Sequence, residues 1–354
     1  MKAISAISAL VLGGYGAVGT HVVARLREGG GRAYAAGRDP VRADRPFDLT
    51  AGAGEAYLRA LDGIDVVVNA SGAEDPGLAV AATDRGIAFV DISATTPYIA
   101  ALERLTPAAP LLLGVGLAPG LTGLLATALA KAPGPGPVPG QAPAPGPAPG
   151  PAGPTHPTGG PVGGPIDLAV VLGAGEKHGA AATDWSYGLL GRTFPDTHGG
   201  PPVRNYSRPR AFDLPHLGRR RLYRADFSDQ HTLTRTLGVP VRTYFGTDSR
   251  AATAALALLT WLPGARRATP RGLHLPGSDG WLASATHAGT GRTVWARGRS
   301  QSRASALLAA LAAHAAPALP PGVHQLTDVV TLDDVPHDDV PHEEGGITIG
   351  HATP

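Results

Sequence analysis

The chain has no cysteine and only three lysines, Lys2, Lys131 and Lys177, among its 354 residues. The first absence excludes disulfides, thiolate metal centres and a cysteine nucleophile, and it fits a reducing, cytoplasmic setting. The second leaves chemistry that needs an amine almost nowhere to find one, which gives Lys177 weight. A strong charge of either sign is also lacking: the formal net charge is +2, too small for this length to call for nucleic acid as the main partner. An uninterrupted apolar helix is missing as well. The uncharged stretch from Leu105 to Ala130 is broken by Pro107, Pro110 and Ala118-Pro119-Gly120, so it reads as strand, turn and buried helix, and no membrane partner is expected. The opening imitates an export signal, Lys2 followed by apolar Ala3 to Leu12. A Gly-rich turn and a helical run from His21 to Leu26 then stand where a cleavage site would be.

What is present is an alternation. Short apolar strands are expected at Ile7 to Leu12, Arg32 to Ala36, Asp65 to Asn69, Ile87 to Asp91 and Leu111 to Val115, with helices at Ala17 to Glu28 and Pro76 to Arg85. Continuous apolar strands separated by helices predict a parallel sheet covered on both faces, a Rossmann-type doubly wound domain over residues 1–131. Residues 132–165 collapse to Pro, Gly and Ala and are expected to form a low-complexity surface insertion. An α/β substrate domain with a mixed sheet is expected over 166–300. Its elements are a strand at Ile166 to Leu172, a helix at Asp229 to Leu237, a strand at Val241 to Phe245, a helix at Ala251 to Leu262 and a hairpin around Gly289-Thr290-Gly291. A helix at Ser302 to Ala313 opens a segment, 301–332, expected to return to the first domain. Residues 333–354 hold six carboxylates with no Lys or Arg and are expected to be a disordered, His-containing tail. A mobile tail fixes no catalytic geometry, so no metal site is expected from its histidines.

Gly14-Tyr15-Gly16-Ala17-Val18-Gly19 fits G-x-G-x-x-G at a strand-to-helix junction, the context that pyrophosphate binding requires. Gly14 permits the turn, Gly16 lets the backbone approach the anion, Gly19 lets the helix pack on the strand, and the helix N-terminus offers free N–H groups. The second strand ends in Gly37-Arg38-Asp39, where NAD sites usually carry an acid. Arg38 suits the 2′-phosphate of NADP, while Asp39 one residue later leaves NAD possible. Asn69, Ala70 and Ser71, at the end of a Val-rich strand, are expected to border the cofactor on the nicotinamide side, with Asp48 on the adenine side or capping a turn.

With those pieces in order the chain resembles the saccharopine dehydrogenase-like family of NAD(P)-binding oxidoreductases. The resemblance rests on "GGYGAVGTHVVARL", "DVVVNASGAEDPGLAVAATDRGIAFVDIS" and "GLAPGLTGLLA", and more weakly on "FSDQHTL" and "PPGVHQLTDVVTLDD". It implies hydride transfer to or from an imine, amine or carbonyl carbon of a small metabolite. The alternatives are reduction of an activated carbon–carbon double bond as a trans-acting enoyl reductase, or a non-catalytic NADP-sensing or scaffold role. Short-chain reductases are disfavoured because no tyrosine has a lysine four residues on.

For proton transfer, "GAGEKHGAAATDW" offers His178 as acid and Lys177 as a carboxylate or carbonyl holder, and "ADFSDQHTL" offers Asp229 and His231. Eight arginines between Arg192 and Arg224 against Asp196 and Asp213 suit an anionic or carrier-bound substrate, a solvated face or a homodimer contact.

Overall fold

The computed structural model describes residues 7–132, 163–175, 185–268, 277–337 and 346–353. The Pro/Gly/Ala insertion therefore lies almost wholly outside the described residues, as do Lys177 and His178.

The first sheet has seven strands, all parallel. They are β1 (Ser8–Leu12), β2 (Arg32–Gly37), β3 (Arg45–Pro46), β4 (Val66–Asn69), β5 (Ala88–Asp91), β6 (Pro110–Leu113) and a late strand from the C-terminal part, Gly322–Gln325. In space the late strand comes first, then β6, β5, β4, β1, β2 and β3. The order reverses between β1 and β4, and ligands of open parallel sheets bind at such a switch point, outside the carboxyl ends of the strands. Composition explains the burial. Val66, Val67 and Val68 of β4 and Leu111, Leu112 and Leu113 of β6 are all fully buried, because helices cover both faces. On one face lie α1 (Gly19–Glu28) and the long helix Gln301–Ala315; on the other lie α2 (Glu55–Ala60), α3 (Pro76–Thr83) and α4 (Thr96–Leu102). The order of cap, Pro and apolar run starts α3: Asp75 accepts the Gly77 amide at 2.9 Å and Pro76 occupies the first turn.

After β6, a Pro-Gly turn (Leu117–Leu121) leads into α5 (Thr122–Lys131), which crosses to the second sheet and packs on it. That sheet is mixed. Its strands are β7 (Ile166–Leu172), β10 (Ser207–Leu214), β11 (Gly218–Arg224), β12 (Val241–Thr247), β13 (Gly280–His287), β14 (Thr293–Arg299) and β16 (Ile347–Ala352); a separate two-stranded ribbon pairs β8 (Thr193–Phe194) with β9 (Val203–Arg204), and the late strand of the first sheet is β15. Only β7 and β12 run parallel. Between β11 and β12 comes α6 (Ser228–Leu237), and after β12 comes α7 (Arg250–Leu259). Among the described residues no helix is long and apolar enough to cross a membrane.

Two expectations need correction. The segment 333–354 is not disordered throughout. Leu332–Asp334 is a capped turn, and Ile347–Ala352 is an edge strand along β14, with Ile347 buried and Gly350 lying where a side chain would strike the Trp295 ring. The acidic residues ahead of it masked a β-branched, alternating run. The first helix also starts later than expected, at Gly19, because residues 13–18 are spent in turns, with the Gly16 amide bonded to the Gly13 carbonyl at 2.8 Å.

Candidate functional site

The glycine turn sits at the switch point, and its packing divides the three motif glycines into two kinds. A Cβ on Gly14 would lie 2.5 Å from the Ala35 backbone, and one on Gly19 would run into the Gly13 carbonyl, so the fold itself demands glycine at both. Gly16 is different. It is exposed, and a Cβ there would meet only the Gly13 oxygen, at 3.1 Å. The room above Gly16 is what close approach of a pyrophosphate needs. The amides of Ala17, Val18 and Gly19 have no acceptor among the described residues, so the turn presents N–H groups at the positive end of α1. These residues fit a dinucleotide.

At the end of β2 the two charged candidates behave differently. Arg38 is exposed and makes no hydrogen bond or ion pair among the described residues. The Asp39 carboxylate faces its own turn, accepting the Val41 amide at 2.9 Å. Tyr15 bridges from the glycine turn: its ring packs over Gly37, its hydroxyl accepts the Asp39 amide at 2.9 Å, and the Arg42 guanidinium lies 4.5 Å from its ring centre. Asp48 caps the turn Leu49–Ala51 by accepting the Thr50 amide. That bond, with the charge of Arg38 adding to it, holds its carboxyl below the usual range.

Asn69 is wholly buried, and its side chain serves the fold. It donates to the Ala73 carbonyl at 2.9 Å and to Asp91 at 2.8 Å, and its oxygen accepts the Ser71 hydroxyl at 2.7 Å. Ser71 and Ala70 are the residues of this strand end that reach the crevice, both half-buried, and the Ser71 backbone lies flush against Gly13. Sequence reasoning missed the anchor of this network. Asp91, at the end of β5, also accepts the Tyr98 hydroxyl at 2.9 Å and the Ser93 amide at 2.7 Å, and burial raises its pKa against those bonds.

The second domain meets the first through α6 and the residues leading into it. His231 Nε2 lies 2.8 Å from Asp226 Oδ1, and the same oxygen accepts the Thr96 hydroxyl from the start of α4 at 2.9 Å. Phe194 meets the imidazole edge-on. With Nε2–H donated to the carboxylate, Nδ1 is the nitrogen left to accept or give a proton. Asp229 does not share this site. Two residues before His231 on the same helix, it points elsewhere, accepting the Thr122 hydroxyl of α5 at 2.5 Å and, weakly, that of Thr243 at 3.4 Å. Burial raises its pKa. Beside it, Ile99, Pro119, Thr232 and Gln325 help line a small, open recess at the carboxyl end of β6 and β15. Glu103, which caps the C-terminus of α4, clamps α6 from the outside, taking the Arg235 guanidinium and the Thr232 hydroxyl at 2.7 and 2.8 Å.

The arginine-rich run is largely absorbed by the fold. Arg224, 3 % exposed, and Arg208 share Asp196; Arg210 and Arg242 share the buried Asp167; Arg220 and Arg204 bond backbone carbonyls. No protein-family model matches the chain, and no curated protein matches it.

Proposed function

We propose that the chain is an NADP(H)-dependent oxidoreductase of saccharopine dehydrogenase-like kind, moving hydride to or from an imine, amine or carbonyl carbon of a small metabolite. The observation that carries this reading is the division of labour after β2, above a turn with free amides. Arg38 is unpaired, and the acid that would take a ribose hydroxyl spends one carboxylate oxygen on its own loop. When bound, the nicotinamide supplies or receives the hydride. The protein's own part is to orient the nucleotide on the glycine turn and to hold a proton at His231 Nδ1, with Asp226 fixing the ring and Thr96 fixing Asp226.

Fluorescence titration with NADPH and NADH tests the first step. Tight NADPH binding and weaker NADH binding are expected, and failure of both to bind overturns the reading. Oxidation of NADPH by keto acids and imines, but not by enoyl thioesters, is expected to fix the bond class.

A further inference from the structure

Arg42 has no assigned role in the binding of a nucleotide, yet it is the second exposed cation beside the crevice end of β2. Its guanidinium lies 4.5 Å from the centre of the Tyr15 ring, and one Nη2–H is spent on the Tyr15 carbonyl at 3.0 Å. A guanidinium carries five N–H donors, so most of its capacity remains unspent. The platform below it is built. Tyr15 belongs to the glycine turn itself; its ring takes the space that a side chain at Gly37 would need, and its hydroxyl holds the Asp39 amide at 2.9 Å. The stretch between the turn and the end of β2 is where an adenosine ribose must lie if the pyrophosphate sits on the turn.

Around that stretch the charges are Arg38, Arg42, Asp39 and Asp48. Asp39 is committed to the Val41 amide, and Asp48 to its own cap. Of the remaining nearby ions, Asp44 is paired with Arg27, and Arg45 bonds the carbonyls of Ala60 and Asp62 while stacking on Tyr34.

We infer that Arg42, stacked on Tyr15, is a second arginine for the ribose 2′-phosphate beside Arg38, and that Tyr15 is the positioning residue that sets the preference for NADP(H) over NAD(H). The inference deepens the proposed function and rests on it. Tyr15 acts in two ways: its face presents Arg42, and its hydroxyl keeps the Asp39 backbone in the turn where one carboxylate oxygen is spent on the Val41 amide. An anion with a doubly charged phosphate gains from both arginines, whereas a nucleotide with a free 2′-hydroxyl gains from neither.

Dissociation constants of NADPH, NADH, 2′,5′-ADP and ADP for the full-length protein test this, with thermal melting as a check on folding. Arg42→Ala is expected to weaken NADPH and 2′,5′-ADP about tenfold while leaving NADH and ADP within about twofold. Arg42→Lys, which keeps the charge and loses the planar stack, recovers only part of the loss. Tyr15→Phe keeps the stack, releases the Asp39 amide and is expected to lower the NADPH-to-NADH preference a few-fold. Equal weakening of all four nucleotides by Arg42→Ala, or no change, overturns the inference and leaves the proposed function standing. A wild-type protein that prefers NADH overturns it together with the NADP(H) preference of the proposed function, and one that binds neither dinucleotide overturns both entirely.

Discussion

Replacing Asp229 with asparagine should make the protein's relative stability depend on pH in a direction opposite to that of most carboxylate substitutions. Asp229 is 6 % exposed, and the hydroxyl it accepts, on fully buried Thr122, ties α6 to α5. Burial raises its pKa; the Thr122 bond, the Gln230 amide, the His231 charge and the Thr243 hydroxyl oppose the rise without cancelling it. A carboxyl whose folded pKa lies above its unfolded value stabilises fully below the unfolded value, and the contribution is lost as pH rises through the folded pKa. The loss amounts to at most about 1.4 kcal/mol per pH unit. Asparagine does not titrate and keeps a carbonyl for the Thr122 hydroxyl. The stability of Asp229→Asn relative to wild type should therefore climb with pH above about 4. Asp91 has the same direction of shift, but it is present in both proteins and cancels in the difference. Asp229→Ala separates charge from bonding: it leaves the Thr122 hydroxyl without its acceptor and should cost about 1–3 kcal/mol even at acid pH. Urea unfolding from pH 4.5 to 8 measures both. A relative stability of Asp229→Asn that stays flat, or falls with pH, would refute the assignment of this carboxyl as a buried, reluctantly ionised tie.

Three further outcomes follow from the site. Gly16→Ala should fold with a loss below about 1 kcal/mol, since its Cβ meets one atom at 3.1 Å, yet weaken NADPH at least tenfold; Gly19→Ala, whose Cβ strikes the Gly13 carbonyl, should lose both stability and binding, measured by melting and titration. His231→Gln and Asp226→Asn should each lower turnover about a hundredfold with NADPH affinity within about twofold, and a loss confined to affinity would place the dyad outside the chemistry. Asp196→Asn removes the charge paired with the buried Arg224, which keeps Gln230 Oε1 as an acceptor, and should cost about 3 kcal/mol near neutral pH. Burial alone would raise the Asp196 pKa, but the Arg224 charge, the His198 amide and Arg208 outweigh it, so the wild-type benefit should fade as acid carries the pH down through that lowered pKa, readable in acid-unfolding curves.

The parts that were legible in sequence are those governed by local periodicity. Val66 to Val68 and Leu111 to Leu113 have nothing polar to offer water, so both faces of their strands had to be covered, and the glycine spacing located the turn. The parts that were not legible depend on partners brought together by the fold. Asp91 draws its meaning from Asn69 on the adjacent strand and from Tyr98 on a helix, and Thr96 lies 130 residues from the carboxylate it serves. Helix geometry did hold one unused signal. Asp229 and His231 are two positions apart and point about 200° apart around α6, so they could not share a task. The carboxylate that reaches His231 had to come from outside the helix, and Asp226, just ahead of its first turn, supplies it. The same helix makes its polar ties to the first domain at Thr122, at Glu103 and, through Asp226, at Thr96. The carboxylate that holds the imidazole is thus itself held from the first domain, through Thr96. Any loosening of the contact between domains should therefore reach His231 before it reaches the glycine turn, which is braced within the first domain alone by Ala35, Ser71 and Tyr15.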